Sequence, residues 1–162
     1  MATTWDENID LFIKLANKHK VRMILVGEGA VNFHGYQRHS ADVDFWIETT
    51  EINFRKLVQV FKEMAYEIND FPSDVKNELQ NISVKFSPKQ LYLELITKFS
   101  STKTFDETYA DSELAEINDE EILSWRVISY DDLIDSKIKA KRPKDLLDIQ
   151  QLQEIKKDNS NL

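Results

Sequence analysis

Three glycines fall within nine residues of one another, at Gly27, Gly29 and Gly35, and the rest of the 162-residue chain has none. Average usage of about 7% would supply about eleven. Glycine costs backbone entropy and is kept where the chain must turn sharply or approach another atom closely. One short stretch of backbone is therefore under unusual demand. The residues before it, 21–26, form an apolar run ending at Gly27, the pattern of a buried strand. Those after it, Ala30, Val31 and Phe33, suit a short helix ending near Gly35.

The composition narrows what such a chain can be. Its length fits a single domain, 1–162. A hydrophobic fraction of 41% and an aromatic fraction of 10% are enough for a packed core. No apolar run reaches the roughly 20 residues of a membrane span. The acidic start, Thr4-Trp5-Asp6-Glu7, lacks the basic opening and apolar stretch of a signal peptide. The absence of cysteine excludes disulfides and thiolate chemistry and fits a cytoplasmic protein. The lack of a span argues against a membrane as partner, and a formal net charge of −8 against non-specific duplex DNA.

Periodicity sets the expected elements. Thr4 and Glu7 have capping-box spacing, and Ile9, Phe12, Ile13 and Ala16 continue it as a helix to about His19. Residues 42–47 alternate acid and apolar. An amphipathic helix follows, marked by Phe54, Leu57, Val58 and Phe61. Strand-like runs at 82–86 and 91–97 are joined by Ser87-Pro88-Lys89-Gln90. Residues 98–112 read as a polar loop, with further strands at 113–117 and 122–128. A helical segment at about 129–157 opens at Ser129 and restarts at Pro143, before a polar tail at 158–162. Leu146, Ile149 and Leu152 give its last helix a partial apolar stripe. Residues 106–135 hold eleven acids and one base, whereas 137–144 hold Lys137, Lys139, Lys141, Arg142 and Lys144. Such a basic run is either a solvated face or an anion site.

The chemistry concentrates in Asp42-Val43-Asp44. Residues two apart on a strand share a face, so both carboxylates project together while Val43 and Phe45 turn to the core. Like charges held that close favour a cation between them, and Mg²⁺ prefers carboxylate oxygens while bridging to substrate phosphates. The Gly27-Glu28-Gly29 turn offers backbone N–H groups to an anion. Glu94 stands alone in the apolar run Leu91-Tyr92-Leu93-Glu94-Leu95-Ile96. A buried lone carboxylate needs a partner. It is a third metal ligand, a base for an acceptor, or an exposed edge-strand residue.

The stretch from Leu25 through Gly27-Glu28-Gly29 to Asp42-Val43-Asp44 resembles the core signature of the nucleotidyltransferase superfamily. With Lys137 and Arg142-Pro143-Lys144-Asp145-Leu146-Leu147-Asp148-Ile149, it is most similar to small bacterial nucleotidyltransferases related to the AbiEii toxins of type IV toxin–antitoxin systems. The resemblance spans about residues 20–155. It implies an α+β fold, a mixed β-sheet flanked by helices, with C-terminal helices. The reaction implied is Mg²⁺-dependent transfer of a nucleoside monophosphate from an NTP to an acceptor hydroxyl on a protein, a tRNA end or a small molecule. Asp42, Asp44 and Glu94 would be the catalytic and metal-binding carboxylates. Gly27, Glu28 and Gly29 would cradle phosphate. Lys137, Lys144 and Asp145 would match the nucleotide-binding C-terminal motif.

Glu28 stands where the pattern has Gly or Ser, and Glu94 where it has Asp. Glu28 supports a second reading, a silent nucleotidyltransferase-like protein that binds a nucleotide or a protein partner. Arg38 is positioned to pair with phosphate or with a surface acid. His34 is expected to hydrogen-bond locally, and His19 to lie at the surface. Trp46 shares the face of Asp42 and Asp44, where it either stacks on a base or fills the core.

Overall fold

A computed structural model describes residues 7–36, 42–86, 92–118 and 122–160. The Thr4 cap, Arg38, the 87–90 connection and the end of the polar tail lie outside them. Six strands form one mixed sheet: β1 (Met23–Val26), β2 (Asp42–Ile47), β3 (Ile82–Lys85), β4 (Tyr92–Ile96), β5 (Glu113–Asn118) and β6 (Ile122–Val127), in the order β3-β4-β2-β1-β6-β5. The β1–β2, β3–β4 and β5–β6 pairs are antiparallel, and β2–β4 and β1–β6 are parallel. The expected α+β class with C-terminal helices is what the chain adopts.

The helices are α1 (Glu7–Lys18), α2 (Gly27–Phe33), α3 (Glu51–Glu63), α4 (Ser73–Lys76), α5 (Phe105–Asp111), α6 (Tyr130–Ala140) and α7 (Pro143–Ser160). One face of the sheet is closed by α1 and α3. Phe12 of α1 packs between Phe45 of β2 and Phe61 of α3. Alternation along β2 buries Val43, Phe45 and Ile47 on that side, joined from β4 by Leu93 and Leu95. Trp46 turns to the opposite face and packs against Phe99 and Phe105, so its role is in the core. That face is covered at the Trp46 end and carries the acids of β2 at the other.

Three local expectations change. Residues 98–112 are not all loop, because Phe105–Asp111 is helical. Thr104 and Glu107 form a full capping box there, each side chain accepting from the other's backbone N–H. Gly27 to Gly29 are the first residues of α2 itself and not a loop before it, so β1 passes directly into the helix. The buried stripe of α7 runs through Asp145, Asp148 and Leu152, leaving Leu146 exposed. Those two acids are buried because α6 supplies the cation they need, as described below.

Candidate active site

Strand register brings the acids together. In the parallel β2–β4 pair Asp44 lies opposite Glu94, and Asp42 lies opposite Tyr92. In-register residues of neighbouring strands share a face, so all three carboxylates project from the same side of the sheet. β4 is flanked by β3 and β2, so Glu94 is not on an edge strand. Asn81 donates to Glu94 Oε1 at 3.3 Å. On the other side of β2, β1 ends at Val26, opposite Asp44, and Gly27 follows.

Gly27 is where the backbone demand inferred from composition becomes specific. Its φ is +65°, and a Cβ built on it would stand 2.5 Å from Asp44 Oδ2. Gly27→Ala should therefore cost about 1–3 kcal/mol in backbone strain and displace the Asp44 carboxylate. Urea denaturation will read the first effect, and weakened Mn²⁺ binding by calorimetry the second. Gly35, at φ +113°, turns the chain out of α2 toward β2.

Asp44 stands between the other acids and is partly buried. Burial first, and then the neighbouring charges of Glu94, Asp42 and Glu28, push its carboxyl pKa up to about 6, with Lys144 acting the opposite way. Among the described residues no three acids already close into a ligand set. The donors are nonetheless hard oxygens sharing one face, and a divalent cation would relieve the repulsion that raises Asp44. Such a set suits Mg²⁺, which usually keeps several waters and takes one or two carboxylates plus substrate phosphates. Asp42, Asp44 and Glu94 are the residues that could hold it.

Glu28 has a counter-charge, since Lys144 Nζ is 3.7 Å from its Oε1. The first turn of α7 thus reaches the first turn of α2. Lys137 of α6 is almost wholly buried and donates to Asp148 at 2.8 Å and Asp145 at 3.3 Å, both acids being fully buried. Arg142 grips Asp145 through Nε at 2.6 Å and Nη2 at 3.1 Å, and Asp145 also accepts from the Arg142 backbone N–H. Burial alone would raise the Asp145 pKa, but the bonds from Arg142 and the charge of Lys137 hold it below the usual carboxylate range. Lys137 and Asp145 therefore sit together beneath the corner between α6 and α7, while Lys144 faces the acids.

A family model described as nucleotidyl transferase of unknown function (DUF2204) matches residues 6–162. The chain belongs to this family. No curated protein matches it. Membership gives nucleotidyl transfer as the general chemistry. Arg142 was not singled out as a site residue from the sequence, although the basic run containing it was visible. His34 Nε2 donates to the Ile128 carbonyl at 2.8 Å, the hydrogen-bonding role expected of it, and His19 pairs with Glu63. No helix among the described residues is long and apolar enough to cross a membrane.

Proposed function

We propose that this member of the nucleotidyl transferase family moves a nucleoside monophosphate from an NTP to an acceptor hydroxyl with the help of Mg²⁺. The supporting observation is the register of Asp44 with Glu94, with Asp42 on the same face and Gly27 against Asp44. When bound, Mg²⁺ would supply charge neutralisation at the attacking and leaving oxygens of an in-line displacement. Asp42, Asp44 and Glu94 would hold it. The backbone N–H groups of Gly27, Glu28 and Gly29, the first turn of α2, would cradle the phosphates, and the missing Cβ at Gly27 leaves room for the Asp44 carboxylate. Lys144 would neutralise phosphate charge.

An NTP-dependent reaction suits the cytoplasm. The stretch from Arg142 to Asp148 also supports a narrower kinship with the AbiEii-related enzymes. Glu28 favours the second reading, a silent nucleotide- or protein-binding relative, because its carboxylate stands in the cradle. Its position beside Lys144 offsets that charge. To separate the two readings, the protein is incubated with each α-labelled NTP, Mg²⁺ and cell extract. We expect label on an acceptor, lost in Asp42→Ala and Asp44→Ala. Silence with all four nucleotides, together with no Mn²⁺ binding, would overturn the enzyme reading.

A further inference from the structure

The corner between α6 and α7 carries a division of labour among its charged residues. Lys137, Asp145 and Asp148 are buried and satisfy one another. Their surface outlet is Arg142, whose side chain is 60% exposed although its fork is fixed on buried Asp145. A guanidinium has five N–H donors. Asp145 takes one at Nε and one at Nη2, so about three remain, held in one orientation by a partner that cannot move. Two residues further on, Lys144 leans over Glu28 at 3.7 Å. Arg142 also lies within electrostatic reach of Asp44.

We propose that Arg142 and Lys144 form a cationic clamp for the triphosphate of the nucleotide, with Lys137, Asp145 and Asp148 acting as a buried brace that aims Arg142. This rests on the nucleotidyl transfer reading and deepens it. Lys137 and Asp145 become positioning residues, and Arg142 becomes a ligand. The physical case is one of charge. Once a divalent cation neutralises the acid row, the polyanionic triphosphate needs cations from the protein, and the α7 corner is where exposed ones stand beside that row. A planar fork held by a buried carboxylate loses little freedom on binding and suits bidentate contact with phosphate. Lys144 rests on Glu28 and would exchange that carboxylate for phosphate, which gives the departure at position 28 a role.

The clamp predicts discrimination by phosphate number. Affinities for ATP and for AMP are measured by calorimetry in Mg²⁺ on the full chain. Arg142→Ala should weaken ATP at least about tenfold and leave AMP nearly unchanged, with Arg142→Lys in between. Asp145→Asn should lower the ATP-to-AMP preference similarly, and adding Arg142→Ala to it should lower the preference no further, since Asp145 acts through Arg142. A general loss of structure would instead weaken both nucleotides. If the wild-type protein binds ATP and Arg142→Ala binds it as tightly, the clamp is overturned and the transfer reading stands. Arg142→Ala removes bonds to buried Asp145, so Arg142→Lys, which keeps a cation there, is the arm that separates a lost phosphate contact from a lost fold. If the wild-type protein binds neither nucleotide, both fall.

Discussion

Asp44→Asn will abolish nucleotidyl transfer and, in the absence of metal, make the protein more stable at pH 7. The Asp44 carboxyl has a pKa of about 6 in the fold against an ordinary aspartate value of 3.8. The folded state therefore binds more protons than the unfolded state between these values, and stability falls as pH rises through that window. Above it the charged form costs the fold about 1–3 kcal/mol. Asparagine keeps the shape and removes the charge, so its advantage is full above pH 6 and absent below about pH 4. Urea titrations of both proteins at pH 4 and pH 7 check this. Added Mg²⁺ with NTP should stabilise only the wild type, because a ligand stabilises the state that binds it. An acid kept at a net cost to folding is what a functional carboxylate looks like in thermodynamic terms.

The second large effect lies under the α6–α7 corner. Lys137→Met keeps the side-chain length but takes from buried Asp145 and Asp148 the ammonium that both bond. Removing one member of a buried charge network typically costs about 3–5 kcal/mol. Stability of a domain is typically only about 5–15 kcal/mol. The melting temperature should fall by roughly 6–20 °C. Adding Asp148→Asn should restore part of the loss, since it removes one of the two buried charges that Lys137 offsets. A double-mutant cycle by thermal denaturation measures that coupling. Equal melting of wild type and Lys137→Met would mean that Lys137 is solvated and not the centre of the network.

Much of this was legible in the sequence because the signals were local. A strand's period of two placed Asp42 and Asp44 on one face, and the glycine cluster marked the turn that Gly27 makes at φ +65°. Ser129 was visible as a cap and does accept from the Asp132 backbone N–H. The polar residues 98–112 obscured α5, because only Thr104 and Glu107 announce it and the helix is seven residues long. Asp145 is legible as part of the C-terminal motif, but nothing local marks Asp145 or Asp148 as buried. Their burial depends on Lys137, eight and eleven residues away on another helix, so no periodicity within α7 could reveal it. The register of Asp44 with Glu94 is likewise set by pairing between distant strands. The resemblance carried by the motifs supplied that pairing as an expectation, where spacing alone left Glu94 with three possible roles. Arg38 lies outside the described residues.

The central claim is that these acids direct transfer of the nucleotidyl group, and it is tested most directly with α-labelled and γ-labelled NTP in parallel reactions. The account predicts that α label appears on an acceptor while γ label leaves as pyrophosphate in equal amount. Both should require Mg²⁺ and disappear in Asp44→Asn. Appearance of γ label on the acceptor with release of the nucleoside diphosphate, or transfer that survives Asp44→Asn, would contradict it.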